Sequence, residues 1–411
     1  MEKMILPYKH KKDCCACGVC ALVCPHGAIT MRADEDGFVY PYVNEEKCIS
    51  CGLCEKMCAF QNKRETNEPI KVYALARKDA ISLKKSASGG AFAGLAEQWI
   101  EQGGVVFGAS LRKCNGKLVP CHVSAQKKED LFPLLGSKYV QSDLGQTFLE
   151  TKELLEHGRK VLFSGTPCQI AALKNWLRKD YSELLTIDLV CHGVPNAVMF
   201  QDYLEIEGKK VGHIAEDFRF RDKEMGWGLN AKLIYSNNSE QHSVCIPSHN
   251  SSFYELFLRG EIYRENCYSC PYANSHRPGD MTIGDYWGIE KQHPEYLKPE
   301  GTLDCEEGVS LLIINTKKGA EAFEKFGSVF KYYPSIFEKA AKYNEQLNNP
   351  SQAGSNRSKI LMLYRDKGYE AVDRWFINSE KKEKIKEGIL YHIHNDIPEP
   401  VRNIVKKIVR R

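Results

Sequence analysis

Eight of the seventeen cysteines in this chain fall into two runs with the spacing of metal ligands. Cys14, Cys17, Cys20 and Cys24, followed by Pro25, make a C-x2-C-x2-C-x3-C-P run; Cys48, Cys51, Cys54 and Cys58 repeat it, with Ala59 in place of the proline. Two-residue gaps let three thiolates of one tight loop face a single iron–sulfur cube, while the fourth cysteine, on the helical turn that follows, points away and serves the other cube. The expected sets are therefore Cys14, Cys17, Cys20 with Cys58, and Cys48, Cys51, Cys54 with Cys24, each holding one [4Fe–4S] cluster. Cys15 is left out of both. Gly18 and Gly52 are expected where the loop backbone approaches the cluster sulfides. Zinc is the competing metal, but its tetrahedral sites come as two separated C-x2-C pairs rather than as four cysteines in one short run, twice over. Two cubes side by side make a wire rather than a staple.

Four more cysteines stand at places where chemistry is expected. In Ser164-Gly165-Thr166-Pro167-Cys168-Gln169 a cysteine sits at a strand-to-helix turn, where the helix terminus favours a thiolate. Cys191-His192-Gly193-Val194-Pro195 repeats that arrangement after the next strand, and Cys267-Tyr268-Ser269-Cys270-Pro271 adds a C-x2-C pair. Together they would complete a third cube from distant segments, or be buried structural thiols with a redox pair at Cys168 and Cys191; spacing alone leaves both readings open. His192 is read as a structural histidine, with proton relay as the other role. Cys114, Cys121, Cys245 and Cys305 have no ligand spacing. The loop Ser86-Ala87-Ser88-Gly89-Gly90-Ala91-Phe92 precedes a helix and has the residues of a pyrophosphate cradle or of an ordinary serine cap. It is not a G-x-G-x-x-G fingerprint, so a nicotinamide site is not indicated.

A chain of 411 residues needs at least one further large domain to carry these groups. Hydrophobic residues make up 43% and charged residues 27%, the balance of a globular protein, and a net charge of +4 is too small to argue for nucleic acid as a partner. Residues 1–62 read as the two-cluster domain, with a hairpin over the clusters at Gly27-Ala28-Ile29-Thr30-Met31 and Gly37-Phe38-Val39-Tyr40-Pro41. Residues 63–71 read as a polar linker, 72–343 as the larger domain and 344–411 as a helical extension. Strands are expected at 72–76, 105–109, 161–164, 184–190, 218–221, 231–235, 281–284 and 309–315, with helices at 90–102 and 169–179. The 161–190 stretch forms a β-α-β unit with parallel neighbours, and the later strands make the sheet mixed rather than doubly wound. The fold class is α+β: a ferredoxin-like domain, then a larger mixed α/β domain, then helices.

Taken together, Ser88-Gly89-Gly90, Gly165-Thr166-Pro167-Cys168-Gln169, Cys191-His192-Gly193-Val194-Pro195 and Gly279-Asp280-Met281-Thr282-Ile283-Gly284-Asp285-Tyr286-Trp287-Gly288 resemble the coenzyme F420 hydrogenase/dehydrogenase beta-subunit family, from about residue 72 to residue 317. The resemblance implies an iron–sulfur flavoprotein oxidoreductase, with FAD exchanging electron pairs with a small substrate or deazaflavin-type coenzyme and single electrons with [4Fe–4S] clusters. By similarity Ser88, Gly89 and Gly90 would contact the flavin phosphates, and Lys138, Tyr139, Gln141 and Ser142 would line the cofactor. Asp285 and Trp287 would shape the same pocket. The resemblance also favours the third cluster on Cys168, Cys191, Cys267 and Cys270. The implied partner is a redox protein or soluble electron carrier, and the implied alternative is a non-catalytic electron-transfer subunit or accessory of another reductase, including one in surface-polysaccharide synthesis.

Met1 to Asp13 lacks the apolar core of a signal peptide, and runs such as Val309 to Ile314 fall far short of the roughly 20 residues of a membrane span. The expectation is a cytoplasmic protein, where thiols stay reduced for metal. The closing stretch 401–411 is basic and amphipathic, the pattern of a solvated terminal helix or of one resting on an anionic membrane surface.

Overall fold

The computed structural model describes residues 7–62, 66–224, 226–238 and 240–396, with side chains up to 381. The basic stretch 401–411 and part of the expected linker lie outside the described residues. The strands are β1 (Ile29–Ala33), β2 (Val39–Val43), β3 (Lys71–Arg77), β4 (Val105–Cys114), β5 (Lys117–Ala125), β6 (Val161–Gly165), β7 (Leu184–Leu189), β8 (Ala215–Arg219), β9 (Asn230–Asn237), β10 (Glu240–Pro247), β11 (Met281–Asp285), β12 (Ser310–Ile314) and β13 (Phe330–Ser335). Four helices matter most for the site: α1 (Ala91–Glu101), α2 (Pro167–Leu177), α3 (Ala197–Val211) and α4 (Arg357–Asp396), the last broken at Gly368.

The duplicated cysteine loops fold alike because each needs left-handed backbone at the same two places. Ala16 and Gly18 in the first copy, and Ser50 and Gly52 in the second, all have positive φ. Each glycine then opens a single helical turn, Val19–Leu22 or Leu53–Lys56. A Cβ at Gly18 or Gly52 would meet nothing within 4 Å, so backbone conformation rather than space calls for glycine there.

The hairpin β1-β2 pairs Ile29 with Val43 in antiparallel register. It covers the clusters only in part. Ile29 and Val43 face the second cysteine loop, while Phe38 and Tyr40 turn the other way and join the core around α3. Val19, Met57 and Ala59 similarly join the core under β4 and β6. The cysteine-rich module is therefore packed into the larger domain along two faces. The expected linker is tied down too, since the Asn67 and Arg277 backbones exchange hydrogen bonds of 2.8 Å in both directions.

The larger domain is built on an eight-stranded sheet of order β13-β3-β12-β11-β7-β6-β4-β5. Strands β4, β6, β7 and β11 run parallel, and β5, β12, β3 and β13 complete the sheet antiparallel. The fold is thus mixed α/β, with β6 and β7 as the parallel neighbours expected of the 161–190 unit. Both are almost wholly buried, as central parallel strands covered on two faces must be. A smaller antiparallel sheet, β10-β9-β8, stands beside it. In such sheets binding sites form beyond the carboxyl ends of the parallel strands. Those ends here are Thr166 to Cys168 after β6 and Val190 to His192 after β7.

Candidate metal centres and cofactor loops

Cys14, Cys17, Cys20 and Cys58 lie together: Cys20 is within electrostatic reach of the other three, and Cys14 of both Cys17 and Cys58. Cys48, Cys51 and Cys54 lie around a separate pocket, and the fourth thiol on its wall is Cys24. The fourth cysteine of each run thus sits with the three of the other. The two sets differ in surroundings. Burial pushes the Cys14 thiol up to about 11, whereas Cys51 is exposed.

A second pocket gathers Cys168, Cys191, Cys267 and Cys270 at the carboxyl ends of β6 and β7. Thr166 caps α2 and shares a reciprocal capping box with Gln169, its N–H donating to Gln169 Oε1 at 2.9 Å. That fixes Cys168 in the first turn, with Thr166 Oγ1 at 3.2 Å from its sulfur. Burial pushes Cys191 up to about 12 and Cys270 up to about 11, and raises Cys267 as well. Cys168 is drawn down to about 7, first by hydrogen bonding from Cys15. A pocket that gathers four thiols and makes most of them costly to ionise fits a group bringing its own positive charge, as iron does. Asn266 also lines this pocket, and its buried Oδ1 has no partner among the described residues.

The loop that carries Cys267 and Cys270 is anchored by a buried ion pair. Arg277 Nη2 lies 2.8 Å from Asp188 Oδ1 on β7, and both side chains are almost wholly excluded from solvent. Arg277 also donates to the carbonyls of Tyr272 and Leu189, at 2.8 Å and 2.7 Å, joining the C-x2-C loop to the strand that leads to Cys191. Gln346 and Ser351, from the segment after residue 343, close the pocket on another side, with Ser351 Oγ donating to the His192 carbonyl at 2.5 Å.

The residues expected around a flavin are split between three places. Ser88 Oγ donates to the Val309 carbonyl at 3.0 Å, and the Ser88 carbonyl accepts from Lys223 Nζ at 2.7 Å. Gly89 is needed for strand packing: a Cβ there would come within 2.2 Å of the Leu75 carbonyl oxygen and 2.5 Å of Ser310 N. Gly90 takes φ +79° and opens α1 without a side-chain cap. Against it packs Arg77, which pairs with Glu97 at 2.8 Å and leaves Nε and Nη1 buried and unpartnered. Lys138 folds onto its own loop, donating to the Pro133 and Leu135 carbonyls at 2.8 Å and 2.6 Å. Tyr139 stacks on Phe257 at 4.8 Å and accepts from Arg221 at 3.1 Å. Gln141 instead reaches the cysteine module, and Ser142 is buried against His122 at 2.8 Å.

Arg221 was not legible in the sequence, and it organises what lies around Asp285 and Trp287. It pairs with Asp285 at 2.8 Å and lies 5.4 Å from the Trp287 ring centre, where Trp287 stacks on Trp227 at 4.8 Å. Lys223 stands beside this group, its pKa drawn down to about 8 by burial and then by Arg221. The result is a half-buried aromatic and cationic patch next to Ser88.

His122 is held neutral behind the β6 turn, lowered to about 4 by burial although it faces the Ser164 carbonyl. A histidine depressed below its unfolded value near 6.5 leaves the unfolded chain binding more protons, so its contribution is full above about pH 6.5 and is lost as pH falls toward about 4. Wild-type protein should lose about 2 kcal/mol more than His122→Gln between about pH 7.5 and about pH 5, measured by urea unfolding.

A duplicated two-set cysteine module packed against a third thiol pocket at the ends of a parallel sheet defines an iron–sulfur electron-transfer protein. Residues 13–62 match the 4Fe-4S dicluster domain, and residues 158–329 belong with the C terminus of the coenzyme F420 hydrogenase/dehydrogenase beta subunit, so the chain joins that family's domain to a dicluster domain. Among solved structures it is similar to a chain of the F420-reducing [NiFe] hydrogenase complex from Methanosarcina barkeri, at 17% identity and a TM-score of 0.44, covering 72% of this chain and 92% of that one. No curated protein matches it. Among the described residues no helix is long and apolar enough to cross a membrane.

Proposed function

We propose that this protein is an iron–sulfur flavoprotein oxidoreductase that takes single electrons from a carrier and uses them to reduce a small substrate or a deazaflavin-type coenzyme, or runs the reverse reaction. The observation that carries this reading is the convergence of Cys168, Cys191, Cys267 and Cys270 beside the first cysteine set, which extends the dicluster wire into the larger domain. FAD would supply the exchange between paired and single electrons. The residues to hold it are the Ser88 to Gly90 loop, the uncapped start of α1 and Arg77, whose two buried, unpartnered donors fit an anionic phosphate. Arg221 and Lys223 offer positive charge to an anionic ligand next to Ser88, with Trp227 and Trp287 as a stacking surface.

A second reading, a non-catalytic electron-transfer subunit, is favoured by the Ser88 and Gly89 contacts, which strand packing already accounts for. Protein purified anaerobically and reconstituted with iron, sulfide and FAD separates the two. The enzyme reading expects about twelve irons per chain, one retained flavin, and flavin bleaching by at least one of reduced deazaflavin, NADH, NADPH and reduced ferredoxin. Twelve irons with no retained flavin would leave only the subunit reading standing.

A further inference from the structure

Cys15 belongs to neither ferredoxin set, yet it is the thiol on which two of the three sets meet. It is buried, with 8% of its surface exposed. Its sulfur lies within hydrogen-bonding reach of Cys17, a member of the first set, and of Cys168, a member of the pocket in the larger domain. Cys15 also lines that pocket, but it is not one of the thiols that crowd each other there: Cys267 is within reach of Cys191, Cys168 and Cys270. It therefore stands between two complete sets of four.

The duplication supplies an internal comparison. The residue at the equivalent place in the second copy, between Cys48 and Ser50, is Ile49. Ile49 is 61% exposed and lines the outer pocket near exposed Cys51. Ligation by the C-x2-C-x2-C loop thus does not require a thiol at this place. The copy that has one is the copy whose loop abuts the third pocket.

The contact is also held rigidly. Gln141 donates to the Cys15 carbonyl at 3.1 Å and accepts from Arg264 at 3.3 Å. Arg264, with no exposed surface, donates onward to the Cys14 carbonyl at 3.0 Å and the Val39 carbonyl at 2.7 Å, and lies 4.1 Å from the Tyr40 ring centre. One buried guanidinium thus joins both backbone edges of the cysteine module to the larger domain. On the pocket side, the unpartnered Asn266 amide marks a space made for a further group.

We propose that Cys15 is the contact across which electrons pass between the Cys14, Cys17, Cys20, Cys58 set and the Cys168, Cys191, Cys267, Cys270 set, with the Cys24, Cys48, Cys51, Cys54 set as the outer terminal that meets the carrier. This rests on the reading of the third pocket as a cluster site. Cys15 fills the gap with a polarisable sulfur that touches a ligand sulfur on each side, and electron tunnelling falls steeply with any gap left empty. One electron leaves the carrier, which is oxidised, and arrives at the Cys168 set, which is reduced. No bond is made or broken, and Cys15 keeps its proton.

The test is reduction of anaerobic wild-type, Cys15→Ser and Cys15→Ala protein by reduced ferredoxin, a carrier too large to enter the third pocket. Freeze-quench EPR follows each cluster signal, and iron is counted in parallel. The proposal expects about twelve irons in all three proteins, unchanged reduction of the outer cluster, and reduction of the third cluster slowed by an order of magnitude in Cys15→Ala. Cys15→Ser, close in shape to the native residue, guards against a folding defect and should fall between the two. Equal rates in all three proteins would overturn the proposal, and so would loss of about four irons in both variants, which would make Cys15 a ligand. Wild-type protein with only about eight irons would instead sink the third-cluster reading itself.

Discussion

Cys58→Ser should abolish the same cluster signal as Cys20→Ser, and Cys24→Ser the same signal as Cys54→Ser, each variant losing about four irons per chain. The prediction crosses the sequence order, because Cys58 belongs to the second run and Cys24 to the first. It follows from the geometry of the loops. Gly18 and Gly52 each start a single helical turn, and the cysteine after that turn is carried away from the three that precede it. Cys58 accordingly comes within reach of Cys14 and Cys20, and Cys24 takes its place on the wall around Cys48, Cys51 and Cys54. The readout is the identity of the lost signal. The inner set is buried and near Arg264, while the outer set has exposed Cys51, so the two clusters should titrate at different potentials and be distinguishable by EPR. A Cys58→Ser spectrum matching that of Cys54→Ser would contradict the crossing.

The cysteine runs were legible because ligand spacing within one loop is a local property, and so was the parallel pair β6 and β7, written as two apolar runs around a helix. What the sequence hid is what depends on distant partners. Cys15 looked like a spare thiol because nothing local says that Cys168 will stand next to it. Gln141 was expected at the flavin, but its amide spans Cys15 and Arg264 instead. Gly89 reads as a phosphate-loop glycine, although the backbone of β3 and the start of β12 leave no room for a side chain there. Strands β10 and β13 were missed for a related reason. β10 is a largely exposed edge with little apolar alternation, and β13 carries Pro334 on the outer edge of the large sheet, where proline is tolerated. Arg264 and Arg277 were overlooked because a buried arginine is recognised by its partners, and those lie far off in the chain.

The second large effect is expected at Asp188. Asp188→Asn should destabilise the protein by about 3 to 5 kcal/mol, the cost of leaving a buried guanidinium without its counter-charge. Urea unfolding of anaerobic protein measures it, and breaking the exposed Lys317 and Glu321 pair, which are 4.0 Å apart, is the control that should change little. Buried ion pairs can often be replaced by apolar residues of similar volume at no net cost. That exchange should fail here, because the pair also satisfies its neighbours. Asp188 accepts from Gly279 N and from Thr282 Oγ1, both at 2.8 Å, and Arg277 serves the Tyr272 and Leu189 carbonyls. An Asp188→Leu, Arg277→Met double variant would bury all four of these groups unpaired, each costing about 1 to 3 kcal/mol. It should therefore remain at least as unstable as Asp188→Asn, and because Tyr272 follows Cys270 in the same loop, it should lose the third cluster before the ferredoxin pair. A double variant as stable as the wild type would mean that these backbone groups find other partners, and that the ion pair is not what holds the Cys267 to Cys270 loop against β7.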